Sequence, residues 1–383
     1  MAGTTTNFAI PYPSSTDYVT DGATAMRSIA DQVDAVLFTG SSSGNLLING
    51  AMQITQRSAV GTAVTGITTS NYYTADRYRL DIASIGTFSQ TTLADAPTGS
   101  GFRNCIRLAC TTANASPVAG AAMQLQQVIE GQNLQAIRKG TASAQTVTLS
   151  FWVKAFQTGT FIVEVRDLDN ARSVSKSYTI NASNTWEYKT ITYPADTTGV
   201  FDNDSNGSLE LNWWLGAGTT YTSGTLQTTW GTLTSANRAV GQTNLASSTS
   251  NNWFMTGAQL TVGSVATPFE FKSYADDLRA CQRYYYRVGG TVSSDIYVSG
   301  FAPALANIIF TYFHPVQMRA TPSLAQKVGT WLLVNSPDQP VVGQPSIHSY
   351  YIFIKVNSAI SNANQSAAYT NNTSTYLEFS SEL

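Results

Sequence analysis

Two glutamates are the first residues whose type and placement suggest chemistry. Glu164, within 161–166, and Glu210, within 209–215, each interrupt an alternating apolar run, which puts both on the outer face of a sheet. A glycosidase needs two carboxyl groups flanking the scissile bond, ~5–9.5 Å apart. The pair meets the requirement of residue type, but Asp and Glu together number only 23 in 383 residues. Outward polar residues on a sheet are ordinarily just solvated, so no enzyme activity is expected from them. The two histidines, His314 and His348, confine any Ser-His-Asp or Cys-His arrangement to the C-terminal region. No H-E-x-x-H, C-x-x-C or P-loop occurs. Asp202-x-Asp204-x-Asn206-Gly207 has the first half of a calcium loop, but Trp213 occupies the twelfth position, where a bidentate Glu is required. A polar hairpin loop is the expectation there. Asp167, Asp169 and Asn170 form a similarly ambiguous group. No cofactor is expected, with structural calcium as a secondary reading. Cys105, Cys110 and Cys281 are too few for a disulfide framework and read as small buried hydrophobes.

The elements that position these residues are mostly strands. In 147–155, Val147, Leu149, Phe151, Val153 and Ala155 alternate with Thr148, Ser150, Trp152 and Lys154. Its expected partner is 161–166, joined through the turn at 157–159. In 209–215, Leu209, Leu211, Trp213 and Leu215 point inward, with Glu210, Asn212 and Trp214 outward. Strand–turn repetition without βαβ alternation predicts a sandwich or jelly roll. A short helix is expected within 273–286, from Tyr274, Leu278, Cys281, Gln282 and Tyr285. Beyond it, 308–313, 331–334 and 350–356 read as strands among proline-punctuated loops. At the other end, 1–20 reads as an extended arm. The next segment, 21–38, reads as a helix in which Met26, Ile29, Val33 and Val36 step by three, four and three. That is the spacing of a heptad seam. Two heptads are marginal alone, so the seam predicts association of several copies. Residues 40–44 (Gly-Ser-Ser-Ser-Gly) are a flexible break.

The expected organisation is an arm and oligomerising helix in 1–43, a jelly-roll β-sandwich in 44–272, a connecting helix in 273–287 and a smaller C-terminal β-sandwich in 288–383. The fold class is mainly β.

Bulk composition excludes several function classes. Charged residues are 11% of the chain against about 25% in an average domain, so uncharged polar groups cover the surface. The 19 Tyr, 16 Phe and 7 Trp supply core material that a disordered chain lacks. A net charge of −2 without a basic cluster argues against nucleic-acid binding. No apolar run approaches the ~20 residues of a membrane-spanning helix. Residues 1–12 lack the basic and apolar regions of a signal peptide, so synthesis without conventional secretion is expected.

Several short motifs come in a telling order. Asn45-Leu-Leu-Ile-Asn49-Gly50, Gln56-Arg57 and Tyr73-Thr-Ala-Asp76-Arg77-Tyr78 resemble the opening of the large sandwich in phage tail-fibre and appendage proteins. Thr256-Gly257-Ala-Gln259-Leu260 and Ala266-Thr-Pro-Phe269-Glu270 resemble its closing strand. Cys281-Gln282-Arg283-Tyr284-Tyr285, then Met318-Arg319-Ala-Thr-Pro322, resemble the connector and tip domain. Asp17-Tyr18-Val19 and Ala30-Asp31-Gln32-Val33 are similar to virion-attachment segments. The chain departs from the family at Ala51, Met52, Ile54 and Thr55, where aromatics are usual, and at Tyr78, where Trp is common. The resemblance implies a non-enzymatic virion component, homotrimeric, docked through its N-terminus on tail, baseplate or capsid proteins and adhering to host surface polysaccharide. A purely structural decoration protein and a polysaccharide depolymerase are the alternatives.

Two candidate surfaces follow. Trp152, Trp214, Glu164, Arg166, Glu210 and Asn212 are expected on one outer sheet face, as a subunit contact or a glycan contact, with Ile162 favouring the subunit. In the C-terminal region, Tyr350, Tyr369 and Tyr376 are candidates for receptor binding within polar loops, since rigid aromatic side chains lose little entropy on binding.

Overall fold

The computed structural model describes residues 44–289 continuously, together with 3–4, 11–12, 22, 24, 26–29, 297–304, 307–327, 331–333, 336–338, 340–355, 366–370 and 376–383. The period-two apolar patterns become the strands of a jelly-roll sandwich: β1 (Val64–Ile67), β2 (Asn71–Tyr72), β3 (Arg79–Ala83), β4 (Thr87–Leu93), β5 (Cys105–Thr112), β6 (Ala122–Glu130), β7 (Val147–Ala155), β8 (Gly159–Asp167), β9 (Arg172–Ile180), β10 (Glu187–Tyr193), β11 (Gly207–Ala217), β12 (Gly231–Thr232) and β13 (Asn252–Val262). One antiparallel sheet has the order β12-β9-β8-β11-β6-β3-β2, and the facing sheet β10-β7-β13-β5-β4-β1. The inward residues of β7 and β11 meet between the sheets. There Trp213 lies edge-on to Phe151 with centroids 5.9 Å apart, and Tyr178 contacts both Phe151 and Phe161. Truncating one such buried ring costs about 3–5 kcal/mol.

The expected pairing of 147–155 with 161–166 is corrected. β7 pairs with β10 and β13, whereas β8 pairs with β9 and β11 in the opposite sheet. The turn at 157–159 therefore carries the chain across the sandwich. Alternation specifies which face of a strand is apolar, and both sheets present an apolar face to the same core.

The opening and closing motifs meet. Asn45 Nδ2 donates to Ala258 O, Asn45 Oδ1 accepts from Leu260 N, and Glu270 Oε2 accepts from Asn45 N. Gly50 is obligatory, because a Cβ there would stand 2.0 Å from Ala258 O. Asn49, in the left-handed region at φ 59°, donates to Ile54 O and Asp76 O. Both are roles that asparagine's short amide fills well.

After β13 a helix, α2 (Tyr274–Gln282), begins at Ser273, whose hydroxyl accepts from Asp276 N; a one-turn helix, α1 (Thr219–Thr222), precedes it between β11 and β12. Tyr285, expected on the helix, instead opens a strand. The following strands are β14 (Tyr285–Gly289), β15 (Tyr297–Ala304), β16 (Asn307–Phe313), β17 (Ser323–Lys327), β18 (Trp331–Leu333), β19 (Ser336–Asp338), β20 (Pro340–Pro345), β21 (Ser349–Lys355), β22 (Ser366–Thr370) and β23 (Tyr376–Ser380). They form a sheet of order β14-β23-β17 and one of order β19-β18-β22-β15-β16-β21-β20.

The sandwich and this C-terminal unit share a charged junction built from the remaining motif residues. Arg57 bonds Asp76 at 3.2 Å and Glu382 at 2.9 Å, with its guanidinium 3.5 Å from the Tyr285 ring centroid. Arg77 pairs with Glu382, donates to Val128 O and lies 3.4 Å from the Tyr284 ring centroid. Arg283 holds Glu130 in two parallel bonds of 2.8 and 2.7 Å, and Tyr284 OH also donates to Glu130. Arg319 donates to Ser381 O and Glu382 O.

Of the expected N-terminal helix, residues 22, 24 and 26–29 are described and helical. Met26 is exposed and Ile29 half-buried, while Val33 and Val36 lie outside the described residues.

Candidate functional site

The structure divides the expected outer face between the two sheets. Glu164, Arg166, Glu210, Asn212 and Trp214 stand on β8 and β11 of the seven-stranded sheet, and Trp152 stands on β7 of the six-stranded sheet. The outer side of β8 and β11 is not open. Residues 218–242 fold back over it, so that Ile162, Trp214, Ala122 and Ala239 form a small second core with Tyr221 and Leu226 packed on it. Trp214 is 0% exposed, packed at a tilt against Tyr221 and beneath the Arg238 guanidinium, and its Nε1 donates to Glu164. Trp214 and Ile162 are therefore covered by their own chain, which removes the reason to expect a subunit there. Glu164 accepts from Arg238 Nε and Nη2 at 2.8 Å each, and Glu210 from Arg166 at 2.6 Å and Asn212 at 2.7 Å. Each carboxylate is held by an arginine, Glu164 by one from the covering segment, so neither is placed as a free acid or base.

The acidic cluster near 167 is also engaged from within. Asp167 Oδ1 accepts the backbone N–H of Asp169 and Asn170. Its Oδ2 lies 2.5 Å from Lys139 Nζ, which also meets Asp196 at 3.0 Å and the carbonyls of Thr198 at 2.8 Å and Gly199 at 2.9 Å. An ammonium group thus occupies this oxygen cage, which takes Asp167 from the Asp167, Asp169 and Asn170 group, while Asp169 accepts from Asp202 N. Burial pushes the Asp196 carboxyl up, but bonds from Arg172 and Lys139 outweigh it and hold the group below its usual range. In the 202–206 loop, Asp204 caps its own turn by accepting from Asn206 N. All three thiols are buried, and burial raises them, Cys105 to about 12, which disfavours the thiolate at each. His314 Nδ1 faces Tyr286 OH, and its Nε2 faces Ser346 O at 3.1 Å.

The outer face of the six-stranded sheet is different. Along β10, Tyr188, Thr190 and Thr192 point outward opposite Trp152, Ser150 and Thr148 of β7, and all three are exposed. Tyr188 is 46% exposed, and its ring centroid lies 5.3 Å from that of half-buried Trp152, inclined by 50°. One residue before β10, Trp186 packs against Phe254 of β13, and its Nε1 donates to Asp95. Lys154 Nζ sits 4.9 Å from the Trp186 centroid and 4.5 Å from that of Phe254, and is tied to Asp95 at 2.6 Å. Four aromatic rings thus stand on one sheet face among threonine and serine hydroxyls, an ammonium and a carboxylate. Of these, the sequence pointed to Trp152 alone. Tyr188 and Trp186 were hidden because the inward side of edge strand β10 starts with Glu187 and Lys189, which blurs the alternation that Ile191 and Tyr193 complete.

In the C-terminal unit, Tyr350 lies on β21 and Tyr369 on β22 of the larger sheet, described in backbone only, whereas Tyr376 lies on β23 of the smaller sheet. Tyr376 is half-buried, with the Arg287 guanidinium 4.6 Å from its ring centroid.

No family model and no curated protein matches this chain. Solved structures that resemble it include the enzymatically active domain of bacteriophage CBA120 tailspike protein 4, at 15% identity and TM-score 0.29 over 58% of this chain and 22% of that one. TmCBM61 in complex with β-1,4-galactotriose aligns at 10% identity and TM-score 0.28, over 57% of this chain and 98% of that one. The family 11 carbohydrate-binding module of the cellulosomal cellulase Lic26A-Cel5E of Clostridium thermocellum aligns at 9% identity and TM-score 0.26, over 55% and 99%. The jelly-roll architecture stands on this chain's own strand order.

Proposed function

We propose that this chain is a non-enzymatic adhesion protein of a phage-particle appendage, and that it holds host surface polysaccharide on the outer face of the six-stranded sheet. The observation that carries the reading is the pair Trp152 and Tyr188, solvent-accessible rings side by side on a hydroxyl-rich sheet surface. An aromatic ring presents an apolar face to the C–H face of a sugar, while neighbouring polar groups bond its hydroxyls. Uncovered aromatics of this kind mark interaction sites. The virion part of the reading rests on the order of the sequence motifs, with the N-terminal arm docking on tail, baseplate or capsid proteins. Trimerisation through the Met26/Ile29/Val33/Val36 seam belongs to the same reading.

The test is binding of the purified full chain to bacterial surface polysaccharides, alongside Trp152→Ala and Tyr188→Ala. Each variant is expected to bind at least tenfold more weakly while keeping the parent's circular dichroism. Undiminished binding by both variants would place recognition elsewhere, with 288–383 the next region to examine. Loss of polymer length on incubation would indicate a depolymerase. Light scattering of the parent and Val33→Asp tests assembly, and a parent that is already monomeric contradicts the seam.

A further inference from the structure

The same face carries a cation that no carboxylate among the described residues neutralises. Phe254 of β13 stands in register with Lys154 of β7 on one side and Arg107 of β5 on the other, and Arg107 in turn with Thr91 of β4. The row Lys154, Phe254, Arg107, Thr91 therefore crosses four adjacent strands. Lys154 is matched by Asp95, whose other oxygen takes the Trp186 N–H. Arg107 has no such match. It is half-buried, its guanidinium lies 5.7 Å from the Phe254 ring centroid, and it forms no ion pair or side-chain hydrogen bond among the described residues. Its Nε is buried without an acceptor.

A guanidinium beside an aromatic ring keeps its two terminal N–H₂ groups for a ligand, and their complement is a carboxylate bound through two parallel bonds. A surface arginine needs no partner, since water satisfies it. This one is partly desolvated, fixed over a ring and set in the sheet face that carries Trp152 and Tyr188. Arg107 and Trp152 are two strands apart and two residues out of register, about 12 Å between backbone positions. Ring stacking and charge pairing would thus fall on different residues of one oligosaccharide.

Resting on the glycan reading above, we infer that this face selects acidic polysaccharide, with Arg107 binding the carboxylate of a uronic acid-type residue next to the one stacked on Trp152. Arg107 is then a specificity-determining residue, and the rings supply affinity common to acidic and neutral chains.

The experiment measures binding of the full chain to alginate, polygalacturonate and hyaluronate, each paired with its carboxyl-reduced counterpart. The parent is expected to prefer at least one acidic polymer over its reduced form by about tenfold or more, a preference that falls as salt rises. Arg107→Gln should erase that preference without changing affinity for the reduced polymer, and Arg107→Lys should retain part of it. Trp152→Ala should weaken both. Equal binding of acidic and reduced polymers, or a preference that survives Arg107→Gln, overturns the inference and leaves the aromatic platform standing. Binding to none of the six polymers overturns the inference as well, and the broader surface-polysaccharide assay with Trp152→Ala then decides the platform separately.

Discussion

Replacing Lys139 by Met removes the ammonium that joins the loops at one end of the sandwich while keeping most of the side chain's volume. Lys139 and Asp167 are 2% and 0% exposed in their side chains, so neither charge is shared with bulk water. Asp196 keeps Arg172 through bonds of 2.8 and 3.0 Å and is largely compensated. Asp167 keeps the backbone N–H groups of Asp169 and Asn170 but loses its cation. Breaking a buried pair from one side costs about 3–5 kcal/mol, because the remaining charge is stranded. For a domain of this size each kcal/mol shifts Tm by about 2–4 °C, so a fall of roughly 6–20 °C is expected. Thermal unfolding followed by tryptophan fluorescence reads it through core residues Trp213 and Trp253. The stranded charge is tested by adding Asp167→Asn to Lys139→Met, which should recover about 1–2 kcal/mol relative to the single variant. A loss below about 1 kcal/mol for Lys139→Met, or a double variant no more stable than the single, would refute the account of this cage.

Three further outcomes are expected. Glu164→Ala strands Arg238 on the inner side of the 218–242 segment and should cost about 3–5 kcal/mol, with a red shift in tryptophan emission as Trp214 meets water. Arg77→Met removes the pairing with Glu382 and the contact with Tyr284, and should split a single calorimetric transition into two as the C-terminal unit uncouples from the sandwich. Burial pushes the Asp76 carboxyl up to about 6, against the pull of Arg57 and Gln56. A carboxyl raised on folding takes up a proton, so stability gained from it grows as pH falls through about 6 and is complete below about 4. That gain is at most roughly 3 kcal/mol, and in Tm measured between pH 7.5 and pH 4.5 Asp76→Asn should lack it.

Much of this architecture was legible in the residues. The alternation in 147–155 and 209–215 gave the strands and their inward faces correctly, and Ser273 with Tyr274 and Cys281 marked the helix. The pairing of β7 was not legible, because a two-residue period says nothing about which sheet a strand joins. The burial of Trp214, Glu164 and Asn212 was not legible either. The lid over them, 218–242, is rich in Thr, Ser, Asn and Gln and looks like solvated loop. It covers the sheet through backbone and arginine contacts more than through an apolar stripe. Seven of the residues singled out by resemblance have one physical role in common. Arg57, Asp76, Arg77, Arg283, Tyr284, Tyr285 and Arg319 all meet where the sandwich joins the C-terminal unit, although they are scattered over more than 250 residues of sequence. The candidate glycan face was visible only as Trp152, since Tyr188, Trp186 and Arg107 come from strands whose neighbours could not be assigned without the fold.

The central claim is that polysaccharide lies on the outer face of the six-stranded sheet, and the most direct measurement is oxidative footprinting of the full chain with and without a bound polysaccharide. The account predicts that Trp152, Tyr188 and Trp186 are protected on binding, while Trp214, already enclosed, stays unreactive in both states. Protection confined to the C-terminal residues 288–383, with Trp152 and Tyr188 oxidised equally in the free and bound protein, would contradict it.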